Sequence, residues 1–286
     1  MRSAILQSVL FSIWLIAAQN AAAQSLAAQK QPNPSVPPND LVRKVVTDEL
    51  NAEQRDHSHW MYQAVNTIPA PEKTTTVIET DHGDIHYVDD VGGSPLTGEQ
   101  RSAEDKKVQQ FVSDPDEQRK ARRAAAADDK KSAKLFAMLP DAFLFQYAGT
   151  AGDNVKLSFQ PNPAFTSHSS DAYVFHKMDG FVILNIKADR LVEISGRLTH
   201  GVEFGGGLLG HLDPGGTFDV RREEVAPGYW AITKLKVNMN GKILFFKTIA
   251  VQQDEVDSHF RKIPDSTTLV EAEKMAEGQT TAGGAD

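Results

Sequence analysis

The chain has 286 residues, 40% of them hydrophobic, which is enough for one large domain or two small ones with a sizeable core. Its formal net charge is −8, which argues against a nucleic-acid partner, because neutralising phosphates needs clustered Lys and Arg. It has no cysteine, which excludes disulfides, thiolate metal ligands, a cysteine nucleophile and a lipid-modified N-terminal cysteine.

The first 23 residues read as a secretory signal peptide. Arg2 supplies the positive start, Ala4 to Ala18 the apolar run, and Ala21-Ala22-Ala23 a small-residue cleavage site before Gln24. The apolar run is shorter than the roughly 20 residues a spanning helix needs. The expectation is a mature chain with no transmembrane anchor after cleavage, periplasmic in a bacterium with two membranes. Residues 24–39, rich in Pro, Gln and Ala, read as a disordered linker.

A single domain is expected over residues 40–264. Asn39 or Asp40 can cap a first helix, whose apolar positions Leu41, Val45, Val46 and Leu50 follow helical spacing. Strand candidates follow at Trp60 to Val65, Thr74 to Glu79 and Asp84 to Val88, with a turn at "TDHGD" where Gly83 is free to take a positive φ. Residues 97–139 form a charged, alanine-rich helical insertion. Thr97 and Gln100 fit a capping box, Pro115 divides two helices, and Pro140 stops the second. Interspersed signs make it a solvated face, with a partner-binding arm as the rival reading.

Residues 141–264 are dense in strand signals. "AFLFQYAG" alternates, with Phe143, Phe145 and Tyr147 on one face; "NVKLSFQ" does the same with Val155, Leu157 and Phe159. "GFVILNIK", "LVEISGRL", "GTFDVRRE", "YWAITKLKVNM" and "KILFFKTIAVQ" follow. Turns are expected at Asp179-Gly180, at 213–216, at 226–228 and at Asn240-Gly241. Spacing of roughly ten residues without intervening helices implies an antiparallel meander. "NPAFTSHSSDAYVFHKM" is a short helix or a loop crossing. From Asp265 a flexible C-terminal tail is expected, with "TTLVEAEKMAE" as a short exposed helix.

Gly205, Gly207 and Gly210 match G-x-G-x-x-G, the fingerprint of dinucleotide-binding folds. That motif works where a strand runs into a helix whose N-terminus meets the pyrophosphate. Here the glycines lie among strands and are followed by the turn "HLDPGG", so a bulge or close backbone approach is the better reading.

"DHGDIHY" is the sharpest metal candidate. Along a strand, His82, Asp84 and His86 would share a face and could hold Zn²⁺ with an open position, as a metal-dependent hydrolase requires. The rival is a polar hairpin turn with solvated histidines, and strand alternation fails in a turn. No G-x-S-x-G elbow, Walker loop or H-E-x-x-H occurs, so no catalytic residue and no cofactor is assigned.

The remaining feature is hydrophobic. Phe143, Phe145, Tyr147, Leu157 and Phe159 of the early strands, with Ile183, Phe204, Trp230, Ile232 and Phe246 of the later ones, are core residues or the wall of an apolar cavity.

The order of "HWMYQAV", "VIETDHGDIHYVDDVGGSPLT", "DGFVILNIKADRLVEISGRL" and "PGYWAITKLKVNMNGKILFFKTIAVQQ" resembles that of the outer-membrane lipoprotein-sorting, or lipoprotein-carrier, superfamily (LolA-like) over residues 41–264. The resemblance rests on pattern and order, since that superfamily has no strict catalytic motif. It implies an α+β fold, an antiparallel β-meander forming an unclosed half-barrel covered by helices. It implies a non-catalytic carrier whose partner is a lipid or a lipoprotein acyl chain. The alternative is an envelope regulatory or interaction module that meets a protein through its charged helices.

Overall fold

In the computed structural model the described residues are 36–166, 171–204, 210–243 and 247–282. The signal-peptide and most of the linker expectations lie outside them. The chain order is α1 (Pro38–Arg55), β1 (His59–Ile68), β2 (Lys73–Ile78), β3 (Ile85–Val91), α2 (Gly98–Ser113), α3 (Pro115–Ala142), β4 (Phe143–Ala151) and β5 (Asn154–Pro161). A 3₁₀ segment (Asp171–Lys177) precedes β6 (Met178–Asn185), β7 (Arg190–Leu198), β8 (Val202–Phe204), β9 (Gly210–Leu212), β10 (Thr217–Ala226), β11 (Tyr229–Ile243), β12 (Lys247–Ile263) and α4 (Leu269–Ala282).

All twelve strands of the described residues belong to one antiparallel sheet, ordered β3-β2-β1-β12-β11-β10-β7-β6-β5-β4, with the β8–β9 hairpin joined through β11. The path begins at β3 and ends at β4, which are not paired with each other among the described residues, so this is an open half-barrel with helices, the fold that the resemblance implied. β12 closes the order by returning beside β1, from the far end of the sequence, with His59 opposite Ile263. The glycine-rich stretch leads into strand β9 rather than a helix.

Two helices cover one face of the sheet. α1 presents Val42, Val45, Val46 and Glu49, and α3 presents Leu135 and Leu139, to a core built on Phe143, Leu157, Leu184 and Leu235. Burying each leucine contributes about 2 kcal/mol, so the helices are held by this stripe rather than by local propensity. At 28 residues α3 is about 42 Å long. It runs from α2 to β4, one of the sheet's two terminal strands. On the other face of β1–β3, α2 and α4 bury Val108, Leu269, Ala272 and Ala276 against Met61, Ile78, Ile85 and Tyr87.

Several local expectations hold. Both hydrogen bonds of the Thr97–Gln100 capping box form, and the helices divide at Pro115 as expected; there Asp114, which the sequence does not single out, caps α3 through the N–H groups of Asp116 and Glu117. Gly83, Gly215 and Gly228 take positive φ at the turns foreseen.

Others are corrected by tertiary packing. Asn39 does not cap α1. Its amide donates to the carbonyls of Pro140 and Phe143 at 2.8 and 2.7 Å and accepts from the Phe145 N–H, tying α1 to the start of β4. Pro140 does not end α3, which continues to Ala142: the proline removes one N–H and crowds the carbonyl four residues back, and the burial of Leu139, Pro140 and Ala142 holds the last turn in place. Asp179-Gly180 lies inside β6, and Asn240-Gly241 lies inside β11, paired with Ala250 and Ile249. The residues between β11 and β12, 244–246, lie outside the described residues. The insertion is not wholly a solvated face, since Val108, Leu135 and Leu139 are buried. Residues 265–282 are not a flexible tail, and α4 is not an exposed helix. Leu269, Ala272 and Ala276 pack against β2, β3 and α2, so the domain extends to at least Ala282.

Candidate functional site

Between the sheet and the helices α1 and α3 lies a cavity of about 660 Å³. Its apolar wall is built by Leu135, Phe136 and Leu139 of α3, which face Phe143 of β4, Phe159 of β5, and Phe175 and Met178 near the 3₁₀ segment. Phe143 is tilted against Phe159 at 4.6 Å and meets Phe175 edge-on at 5.3 Å, so the rings form one contiguous aromatic surface. The β10–β11 hairpin contributes Phe218, Val220, Trp230, Ala231 and Ile232 to the same space.

Two glycines make room for the rings. Gly180 and Gly196 lie opposite each other on β6 and β7. A Cβ on Gly180 would stand 2.0 Å from the Ser195 carbonyl oxygen and 2.8 Å from the Phe159 ring, and one on Gly196 would stand 2.7 Å from the Phe218 ring. The aromatics lie over backbone that carries no side chain.

Four of the ten cavity candidates line this space: Phe143, Phe159, Trp230 and Ile232. Phe145 and Leu157 are buried in the adjoining core rather than in the wall. Tyr147 is half-buried, and its hydroxyl donates to the Val36 carbonyl at 2.8 Å. Ile183 faces the other way. On β6 the buried positions are Met178, Val182 and Leu184, and a one-residue slip exchanges the faces of a strand. The Phe204 side chain and Phe246 lie outside the described residues.

The polar part of the wall was not foreseen. Glu49 of α1 is 4% exposed. Its Oε2 meets Arg190 Nη1 of β7 at 3.0 Å and Arg222 Nη1 of β10 at 2.5 Å, and its Oε1 accepts the Leu191 N–H at 2.8 Å. Arg222 also donates to the Trp230 carbonyl at 3.1 Å. The pairing satisfies a carboxylate that would otherwise be costly to bury, and it pins α1 to two strands. A signal for it was present: Glu49 follows Val42, Val45 and Val46 on the same helical stripe, so a charge falls where an apolar residue is expected. Its arginine partners, 141 and 173 positions further on (190 − 49 and 222 − 49), carry no such signal.

Glu53, Asp56, Glu79, Asp84 and Asp129 line the space with Arg55. Glu53, Asp56, Glu79 and Asp129 each interact with other groups of the protein. Burial pushes the Asp84 carboxyl up to about 6, although the Thr80 N–H donates to it at 3.4 Å. Trp60 stacks on Tyr229 at 4.1 Å at this end. Beyond it Tyr62 stacks on Phe260, and burial, with Asp257 second, holds the Tyr62 hydroxyl well above its ordinary value.

The residues suggested for zinc do not converge. His82 is exposed in the β2–β3 turn, 3.5 Å from an Arg122 nitrogen, and His86 is exposed on β3, while Asp84 alone reaches the cavity wall. The turn breaks the alternation that would have put them on one face. No group of three His, Asp or Glu side chains suited to a metal ion occurs among the described residues. No described helix is long and apolar enough to cross a membrane.

No protein family, curated protein or solved structure matches the chain.

Proposed function

We propose that the protein is a non-catalytic periplasmic carrier that holds an acyl-bearing ligand, a lipid or the acyl chain of a lipoprotein, between its sheet and the helices α1 and α3. The observation that carries this reading is the apolar cavity of about 660 Å³, a size within the roughly 300–1,000 Å³ of small-molecule sites. Each methylene moved from water onto such a wall gains about 0.8 kcal/mol. Ten of them gain roughly 8 kcal/mol before ordering costs, the scale of a micromolar dissociation constant. The order of sequence elements and the signal-peptide pattern support the same reading. α1 and α3 fill part of the sheet's face themselves, so the ligand occupies the space they leave.

Native mass spectrometry of the mature protein, residues 24–286, prepared from its own cells without detergent, tests this. A discrete added mass that extracts into organic solvent as a lipid is the expected result. A bare polypeptide mass, with no uptake of a single-chain lipid on incubation, would overturn it.

A second reading, an envelope interaction module, is favoured by one observation. The N-terminal half of α3 is largely solvent-facing and carries Arg119, Lys120 and Arg123 on its exposed surface. Charge reversal at these three positions leaves the core intact. If it abolishes capture of an envelope protein, the interaction reading gains.

A further inference from the structure

We infer that the cavity selects an amphiphile with an anionic head, a single acyl chain ending in a carboxylate, which is received by Arg190 and Arg222. This rests on the carrier reading above and names the class of ligand.

Of the charged side chains that line the cavity, three meet in one cluster, two guanidiniums and one carboxylate, with a charge of +1 within the cluster. Each guanidinium has five N–H donors. Arg190 gives one to Glu49. Arg222 forms an ion pair with Glu49 and gives one to the Trp230 carbonyl. Neither has a further hydrogen-bond partner among the described residues. Both are largely shielded from solvent, with 19% and 23% of their side chains exposed, and both border the cavity. Donors that are uncommitted, charged and set in an apolar wall fit a planar carboxylate that arrives with an alkyl chain.

The same wall carries five further carboxylates, Glu53, Asp56, Glu79, Asp84 and Asp129, beside Arg55, so the amine in the test below is the direct rival to the acid. Glu49 has a second role on this view. Its carboxylate occupies the arginines in the empty protein and spares a buried pair of like charges. An incoming carboxylate takes the donors Glu49 leaves unused, so the helix clamp is kept.

The test compares palmitate, methyl palmitate and hexadecylamine, which share a chain and differ in the head, by displacement of an apolar fluorescent probe at neutral pH. Palmitate is expected to bind about tenfold or more tightly than its ester, since hydrogen bonds to charged groups are the strong class. Arg222→Met is expected to remove that preference while ester binding persists, which shows the fold is intact. Glu49→Gln keeps an acceptor for the Leu191 N–H and raises the local charge to +2, so palmitate should tighten relative to the ester. Equal binding of acid and ester by the natural protein, or a preference for the amine, overturns the inference and leaves the carrier reading standing. Binding of none of the three overturns both.

Discussion

Asp257 lies on β12 opposite Ala64, 4% exposed, with its Oδ1 unpartnered. Burial, and secondly the charge of Glu255, pushes its carboxyl up to about 8. In an unfolded chain the same group titrates near 3.9. The folded state therefore holds this proton more tightly than the unfolded state does. Its contribution to stability is fully present below about pH 4 and is lost as the pH rises through about 8. The two values lie about four pH units apart, and each unit corresponds to about 1.4 kcal/mol, so ionisation costs the folded protein on the order of 5 kcal/mol. Asp257→Asn removes the titration while keeping the shape of the neutral acid. Urea denaturation at pH values from 4 to 9 should show the variant close to the natural protein at pH 4 and more stable by several kcal/mol at pH 9, with an unchanged m value. Parallel stability curves across that range would refute a buried, protonated Asp257.

Asp114→Ala removes the acceptor for two N–H groups at the start of α3 and should cost about 1 kcal/mol in thermal or urea denaturation. Gly196→Ala would place a methyl group 2.7 Å from the Phe218 ring and 2.9 Å from the Asp179 carbonyl oxygen. It should destabilise by about 1–3 kcal/mol and weaken binding of an apolar probe, because Phe218 belongs to the cavity wall. Ile232→Trp puts a larger ring into the cavity and should reduce uptake of a single-chain lipid at least tenfold, with circular dichroism unchanged. Uptake equal to that of the natural protein would move the ligand elsewhere.

The sequence by itself determined the class of fold. Period-two alternation in "FLFQY" and "NVKLSF", turn glycines at 83, 215 and 228, the Thr97 cap and the break at Pro115 are local facts. Each depends on residues within a few positions of one another. The same locality explains the misses. Asn240-Gly241 reads as a hairpin turn in isolation, yet β9 and β12 flank it and extend β11 through it. Asp179-Gly180 reads as a turn, but Gly180 is there because the Ser195 carbonyl and the Phe159 ring leave no room for a Cβ. Ile183 was placed on the cavity face because nothing local tells one face of β6 from the other. That distinction comes from the helices that pack on it. Residues 265–282 look like an exposed helix until α2 and β3 supply the surface that buries Leu269 and Ala276.

Phe143, Phe159, Trp230 and Ile232 were legible as inward-facing apolar residues, core or cavity wall, but not which of the two, since Phe145 and Leu157 carry the same signal and lie in the core. The Glu49–Arg190–Arg222 cluster was not legible. A buried charge is tolerable only when its partners are in place, and those partners come from β7 and β10, which meet α1 only in the folded chain. Local sequence decides which segments can be strand, turn or helix. Tertiary structure decides which face is inside and which charges share it, because both depend on contacts between residues far apart in the chain.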